Sequence, residues 1–216
     1  ARRESDTMDT FVDSSWYFLR YTSANRDDVA FDRAAVDYWL PVDQYIGGVE
    51  HAILHLMYAR FFTKVLYDLD LVGFEEPFKN LFTQGMIYYK GAKMSKSKGN
   101  VVSPDETVEK YGADSVRSYV LFMGPAESDV EWSDQGIEGV YRFLNRVWRQ
   151  VTEALAEGLL KPGEGPEHFD PASLDPSDRS LLVKTNQVIR KVTDDVGQRF
   201  RFNTALAAIM ELSNEV

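Results

Sequence analysis

The feature that most limits how this chain can fold is a strand-like segment that ends in two glycines and leads into a helix. Residues 41–46 (PVDQYI) have the composition of a strand, Gly47 and Gly48 predict a tight turn, and a helix is expected from about Glu50. Apolar side chains then recur at helical spacing: Ile53, Leu54, Met57, Tyr58, Phe61, Phe62, Val65 and Leu66. A strand, a glycine turn and a helix form one half of a nucleotide-binding βα unit, whose ligand lies beside the helix N-terminus. The sequence therefore predicts an α/β fold.

Three polar side chains lie at the predicted start of this helix. Glu50 is placed to accept hydrogen bonds from ribose hydroxyls, and His51 and His55 are four residues apart, so they share one face. Such a pair can bind a metal ion, but no third ligand is evident and the chain contains no cysteine. Packing of both histidines in the core is the larger alternative. Their position beside the glycines favours a ligand site.

A second feature is a run of four lysines in residues 90–98 (KGAKMSKSK), which holds no acid although the chain has a net charge of -10. Glycines and serines separate the lysines, so the segment lacks the apolar spacing of a helix or strand and is expected to be a mobile loop. A solvated turn is the alternative, although such turns in acidic proteins usually mix both signs of charge. Each ammonium group can act as a point charge on phosphate oxygens. Residues 81–89 are expected to form a second strand that runs directly into this loop.

After this loop the pattern predicts helices without further strands. Ser103, Pro104 and Glu106 form a capping box, and Gly112 ends that helix. Further helices are expected after the capping residue Ser133, from Asp175 and from Phe202, and an earlier short one over residues 32–40. We therefore predict an α/β domain over residues 1–112 and a helical domain over residues 113–216.

Composition excludes several classes of protein. A hydrophobic fraction of 44% is typical of a folded globular chain, and no apolar run approaches the roughly 20 residues that span a membrane. The N-terminal residues lack the apolar stretch of a signal peptide, so a cytoplasmic location is expected. A pI near 4.8 argues against general affinity for nucleic acid, and any RNA contact must come from a local basic patch.

Three segments carry a resemblance to the class I aminoacyl-tRNA synthetases. Lys93-Met94-Ser95-Lys96-Ser97 resembles the signature loop of that family. Residues 45–56 (YIGGVEHAILHL) and 9–17 (DTFVDSSWY) resemble the leucyl form, whereas the isoleucyl, valyl and methionyl forms differ after the glycines. Residues 138–148 are similar to the helical anticodon-binding region. The resemblance implies the second half of a Rossmann-like nucleotide-binding fold, followed by a helical anticodon-binding domain that is truncated at its C-terminus.

The resemblance also implies roles for individual residues. The residues expected to bind leucine are Phe11, Ser14, Tyr45, His51 and His55. Those expected to bind ATP are Gly47, Gly48, Glu50, Met86, Ile87, Lys93, Met94, Ser95 and Lys96. Lys93 and Lys96 would act in catalysis by stabilising negative charge on the leaving pyrophosphate. The glycines and these two lysines are expected to face a common triphosphate.

A tRNA contact is implied for Arg142, Arg146 and Arg149, which share a predicted helix with Trp148. The alternative for this helix is a solvated face with intrahelical ion pairs.

The implied activity is the ATP-dependent activation of leucine and its transfer to tRNA(Leu). The expected partners are leucine, ATP with Mg²⁺ and tRNA(Leu); no metal bound by the chain itself, no membrane and a monomeric state are also expected. The family's His-X-Gly-His signature and its editing domain are not in the sequence, so the chain alone is expected to be inactive or nearly so. Three alternatives stay open: isoleucyl or valyl specificity, a non-catalytic nucleotide- or RNA-binding module, and a structural or oligomerising fragment.

Overall fold

Two compact units, Ala1–Gly85 and Met86–Val216, divide the chain. The structure is a computed structural model that describes residues 3, 5–161, 163 and 170–216, without the side chain of Lys96. Each unit has a hydrophobic core of its own. The domain boundary predicted after Gly112 falls inside the second unit. It stays a prediction, because compactness alone does not define where a domain with a different role begins.

The first unit joins short helices to a two-stranded parallel sheet. Its elements are α1 (Phe11–Ser14), α2 (Tyr17–Tyr21), α3 (Arg33–Trp39), β1 (Tyr45–Gly48), a 3₁₀ turn (Val49–Ile53), α4 (His55–Asp68) and β2 (Leu81–Gln84). In the sheet, Tyr45 lies opposite Leu81 and Gly48 opposite Gln84. The core beneath these elements consists of Phe18, Leu19, Val36, Ala59 and Val72.

The glycine pair does not form the predicted turn. Gly47 and Gly48 continue strand β1, which begins at Tyr45 and not at residue 41, and the α-helix begins at His55 after the 3₁₀ turn. The glycines serve close packing. A Cβ atom at Gly47 would lie 3.1 Å from Cε1 of Tyr45, and one at Gly48 would lie 2.8 Å from Oε2 of Glu50.

Helix α4 buries a different face from the one that the apolar spacing predicted. His55, Leu56, Ala59 and Thr63 are buried. In contrast, Ile53, just before the helix, and Met57 and Phe61 within it are 74%, 59% and 68% exposed. Apolar side chains occur around most of this helix. Periodicity therefore identifies the helix correctly but does not show which side is covered.

The second unit is mainly helical around a small three-stranded sheet. Its strands are β3 (Ile87–Tyr89), β4 (Ala92–Lys93) and β5 (Val130–Glu131), and its helices are α5 (Pro104–Tyr111), α6 (Ala113–Phe122), α7 (Asp134–Ala156), α8 (Pro176–Gly197) and α9 (Phe202–Leu212). Strand β3 is central, antiparallel to β4 and parallel to β5. The predicted capping residues Ser103 and Ser133 are confirmed, and Asp175 caps α8; each side chain accepts a hydrogen bond from a backbone N–H three residues later.

Two strand predictions for this part of the chain were wrong. Residues 81–89 are not one strand: β2 ends at Gln84 and β3 begins at Ile87 in a different sheet. The backbone N–H of Met86, between them, donates to Asp129 at 2.7 Å instead of to a neighbouring strand. Strand β5 was not predicted at all, because two residues carry no periodic signal and depend on pairing with β3.

The core of the second unit lies under the lysine segment. The rings of Tyr119 and Trp132 meet edge to face with centroids 5.0 Å apart, and Ile137 and Val140 complete the buried cluster. Met94 packs against this cluster from the middle of the lysine run. In the ranges that the structure describes, no helix combines the length and the apolar character needed to cross a membrane.

Candidate functional site

In the first unit the structure brings together the five residues expected to bind leucine, four through their rings and Ser14 through its backbone carbonyl. The ring centroid of Phe11 lies 6.4 Å from that of His51 and 6.3 Å from that of His55. Tyr45 stacks on His55 with centroids 5.6 Å apart, and the carbonyl of Ser14 contacts His55. These five residues come from α1, β1, the 3₁₀ turn and α4. They form the histidine cluster: Phe11, Ser14, Tyr45, His51 and His55.

His55 is fully engaged within this cluster. Its Nε2 lies 2.6 Å from the carbonyl oxygen of Ser14, which can only accept, so Nε2 carries the proton and donates. In the neutral ring Nδ1 is then an acceptor, and it receives the hydroxyl proton of Tyr45 at 2.9 Å. Both nitrogens are used, and the side chain is buried. His55 therefore has no nitrogen left for a metal ion, which removes the histidine-pair metal site as an interpretation.

His51 differs from His55 in having an unused polar atom. Its Nδ1 is buried and has no hydrogen-bond partner among the residues that the structure describes. The ring stands edge-on to Phe11 and to His55, at centroid distances of 6.4 and 6.2 Å. A buried nitrogen without a partner costs free energy unless something binds it. His51 is therefore the member of the cluster that has polar capacity to offer a ligand.

Three aromatic residues that the sequence interpretation did not assign also border the cluster. Tyr17 lies 5.9 Å from the His55 ring, Phe78 lies 4.7 Å from the Tyr45 ring, and Tyr58 stacks on Phe11 at 6.0 Å. Burial raises the pKa of Tyr45, with a smaller contribution from Tyr17. Tyr58 follows His55 by three residues on α4, so helical spacing alone was enough to find it.

Gly47, Gly48 and Glu50, expected to bind ATP, lie at the end of β1 and in the 3₁₀ turn that follows. The side chain of Glu50 approaches the backbone at Gly48, where a Cβ atom would meet its carboxylate. The absence of side chains on the two glycines thus leaves the end of the strand open to close approach.

The lysine segment in the second unit is more ordered than the expected loop. Residues 92–93 form β4, which pairs with β3, and Lys96–Lys98 form a 3₁₀ turn. The hydroxyl of Ser95, just before this turn, lies 2.8 Å from that of Ser97. Lys90 and Lys93 are both exposed, and Nζ of Lys90 lies 4.9 Å from the centroid of the Tyr89 ring. The side chain of Lys96 lies outside the described part of the structure, so its expected catalytic role stays a prediction.

Met86 and Ile87, expected beside adenine, stand at the start of β3. The Met86 N–H donates to Asp129, and Ile87 packs against the core of this unit. The backbone N–H of Gly91 donates to Glu131 at 3.0 Å. Two carboxylates next to or within β5 therefore hold the base of the lysine segment.

The three arginines of α7 have different surroundings. Arg142 and Arg149 are exposed, and Arg149 lies 4.0 Å from Glu153. Arg146 is half-buried: its Nη2 donates to the Ser213 hydroxyl at 3.0 Å, and its guanidinium lies 6.0 Å from the Phe143 ring centroid. Arg146 therefore connects α7 to the residues after α9, which the helical spacing could not show.

No group of three or more acidic, histidine or cysteine side chains that could hold a metal ion occurs within the described ranges. Mg²⁺, which the family resemblance implied, therefore has no cage built from these residues.

Comparison with known proteins gives one family. Residues 1–133 match the family described as tRNA synthetases class I (I, L, M and V). Curated relatives include leucine–tRNA ligases from Petrotoga mobilis and Thermotoga maritima, both 58% identical to this chain across its whole length. In each case the chain spans only 26% of the relative, about a quarter of its length.

Solved structures give the same fold. A ternary complex described as LeuRS-tRNA-LeuAMS from Agrobacterium radiobacter K84 is 44% identical with a TM-score of 0.85, covering 99% of this chain and 27% of that one. A Mycobacterium tuberculosis methionyl-tRNA synthetase bound by methionyl-adenylate, 22% identical with a TM-score of 0.66, covers 95% of this chain and 38% of that one. The predicted fold class, half of a Rossmann-like fold followed by helices, is confirmed.

Proposed function

This chain belongs to the class I tRNA synthetases of the isoleucine, leucine, methionine and valine group, and on that premise we propose that it is part of a leucine–tRNA ligase. The whole protein would use ATP to convert leucine to leucyl-adenylate and would then transfer the leucyl group to tRNA(Leu).

The histidine cluster carries this proposal. Leucine needs an apolar wall for its branched side chain and a few polar atoms for orientation. Phe11 and Tyr45 supply ring surface, and His51 supplies a buried nitrogen that has no partner among the described residues. His55 contributes by holding Tyr45 and the backbone of Ser14 in place through its two hydrogen bonds. Two curated relatives named leucine–tRNA ligase are each 58% identical to this chain.

ATP is the second proposed substrate. Gly47, Gly48 and Glu50 would contact the ribose, Met86 and Ile87 the adenine, and Lys93, Met94, Ser95 and Lys96 the phosphates. When the leucine carboxylate attacks the α-phosphorus, the bond to pyrophosphate breaks and negative charge grows on the leaving group. Lys93 and Lys96 would stabilise that charge more in the transition state than in the ground state. Mg²⁺ would enter with ATP, held mainly by phosphate oxygens and water.

We propose tRNA(Leu) as the third partner. The exposed Arg142 and Arg149 would approach its phosphate backbone, where arginine is well suited to bidentate contacts. Arg146 would support them from its packed position. A monomeric protein in the cytoplasm, without attachment to a membrane, completes the proposal.

Leucine-dependent exchange of pyrophosphate into ATP, measured on the full-length protein, tests the proposal. We expect exchange with leucine to exceed that with isoleucine or valine. Lys96→Ala should lower kcat by about 10²- to 10³-fold with little change in the KM for ATP, the usual size for loss of a charge-stabilising group. Lys184→Ala, which removes a lysine of α8 whose side chain is 33% exposed and lies 3.7 Å from Glu215, is the control.

An exchange rate unchanged by Lys96→Ala would remove the catalytic assignment. Exchange dependent on isoleucine or valine would replace leucine as the substrate. ATP binding without exchange for any of the three amino acids would indicate a non-catalytic module.

A further inference from the structure

Asn100, directly after the lysine run, contacts that run on several sides through one carboxamide group. Its Oδ1 accepts a hydrogen bond from the backbone N–H of Ser95 at 2.9 Å. Its Nδ2 lies 3.3 Å from the carbonyl oxygen of Tyr89 and 3.2 Å from those of Ala92 and Lys93. An amide nitrogen has two hydrogens, so the three carbonyls share two donors. The side chain thus uses both halves of its amide on the loop backbone.

Within the described residues, the other contacts of this segment are short pairings and single bonds. Strands β3 and β4 pair over two residue pairs, Tyr88 with Lys93 and Tyr89 with Ala92, and hairpins of this size are marginal on their own. The turn between them places Lys90 and Gly91 at positive φ, 55° and 72°. Met94 fixes one side chain in the core, and Glu131 accepts from Gly91. Asn100 connects the backbone at Tyr89, before the turn, to the backbone on both sides of Lys93.

We propose that Asn100 is a positioning residue for the lysine run, fixing the backbone from Tyr89 to Ser95 so that Lys93 is presented in one orientation before ATP binds. Asparagine suits this place because it is uncharged. An aspartate would offer an acceptor to Ser95 but would repel the three carbonyl oxygens and neutralise part of the positive charge of the run. The consequence for catalysis rests on the proposed function, whereas the consequence for the backbone does not.

Amide hydrogen exchange on this chain tests the backbone consequence. In Asn100→Ala we expect the amides of residues 91–95 to exchange about 10-fold faster or more, since each lost hydrogen bond contributes roughly 1 kcal/mol and tenfold corresponds to about 1.4 kcal/mol. Asn100→Asp keeps the size and the acceptor, and it should loosen the loop at least as much. Asn186→Ala is the matched control, because its Nδ2 donates only locally, to the Leu182 carbonyl at 2.9 Å.

Helix α7 is the internal reference for these measurements. Loosening confined to the loop supports the proposal even if a variant is less stable overall. Equal loosening of α7 would show that Asn100 serves general stability and would overturn the proposal. Loop amides that exchange at the wild-type rate in Asn100→Asp would overturn it too, because the donor half of the amide would then contribute nothing.

Kinetics on the full-length protein test the catalytic consequence. Asn100→Ala should lower kcat for leucine-dependent pyrophosphate exchange by about 10- to 100-fold, corresponding to one or two misplaced charge contacts. The KM for leucine should stay within about twofold, because the histidine cluster belongs to other segments. A rate lost in Lys96→Ala but kept in Asn100→Ala overturns the positioning role. Loosening of the loop with full rates in both variants supports the backbone role and refutes the proposed function.

Discussion

The hydroxyl of Tyr45 donates to Nδ1 of His55 across 2.9 Å, and this bond fixes the inner wall of the histidine cluster. The direction of the bond follows from the other side of the ring, where the Ser14 carbonyl requires a proton on Nε2. A buried imidazole thus links strand β1 to helix α1. Its tautomer is set by a backbone oxygen.

Replacing Tyr45 with Phe should therefore destabilise the chain. Tyr45→Phe keeps the ring but leaves the buried Nδ1 of His55 without its donor, which costs about 1–3 kcal/mol of unfolding free energy. Urea denaturation at neutral pH measures the loss. Tyr38→Phe is the control, because Tyr38 is 78% exposed and should change by less than about 0.5 kcal/mol. Equal values for the two variants would contradict the assigned bond.

Replacing His51 should weaken leucine binding, because the side chain then loses its buried Nδ1. His51→Phe keeps a ring beside Phe11 but removes the buried Nδ1, and we expect the KM for leucine in full-length protein to rise about tenfold, the usual size for one lost hydrogen bond. His51→Ala also removes the ring and should raise it further. A KM unchanged in His51→Phe, measured by pyrophosphate exchange, would exclude a polar contact from this histidine.

Two glycines of α7 should respond in opposite directions to alanine. At Gly136 a Cβ atom would lie 2.7 Å from Cε2 of the buried Tyr119, so Gly136→Ala should cost about 1–3 kcal/mol despite its better helix propensity. A Cβ atom at Gly139 would meet no described atom within 4 Å beyond its own stretch of helix, and Gly139→Ala should stabilise by up to about 1 kcal/mol. Thermal unfolding of both variants checks the difference in sign. Stabilisation by Gly136→Ala would show that the Tyr119 ring moves aside easily.

Stability at acid pH should depend on Glu76. Hydrogen bonding to Arg60, both pairs at 2.7 Å, lowers the pKa of the Glu76 carboxyl from 4.5 to about 2, with help from Lys64. A lowered pKa in the folded chain adds stability above about pH 4.5, and the contribution is lost as the pH falls toward 2.

The stabilisation by Glu76 should be about 0.5–1 kcal/mol, because the pair is half exposed and screened by water. Urea unfolding of wild type and Glu76→Gln should differ at pH 6 and converge near pH 2. Glu75→Gln is the comparison, since Glu75 lies 3.7 Å from Lys64 without a bond to Arg60. A difference as large at pH 2 as at pH 6 would contradict the assignment.

Local signals in the sequence were the reliable ones. Ser103 and Ser133 cap their helices as predicted, and Asp32 and Asp175 cap the helices that were predicted to begin there, because an N-cap needs only a backbone N–H three residues away. Within the histidine cluster, His51 and His55 were found by their spacing, whereas Phe11, Ser14 and Tyr45 were found by family resemblance. Their proximity depends on α1 and α4, which are distant in sequence.

Features that depend on distant partners were missed. Strand β5 consists of Val130 and Glu131, which only their pairing with β3 defines. Arg146 shares the helical spacing of its exposed neighbours, yet Ser213, 67 residues further on, accepts its hydrogen bond. The position of Asn100 after the lysines carried no sign that its amide would bind backbone atoms on both sides of Lys93.

The parallel pairing of β3 with β5 also governs the order in which the second unit can assemble. Met86 and its partner Asp129 are 43 residues apart, and β3 has no parallel neighbour until β5 has left the ribosome. Closing so long a stretch of chain costs entropy before any contact is gained. Helices α5 and α6 can form in the meantime from local bonds. We therefore expect the base of the lysine run to acquire its final shape during synthesis only after helices α5 and α6 have formed.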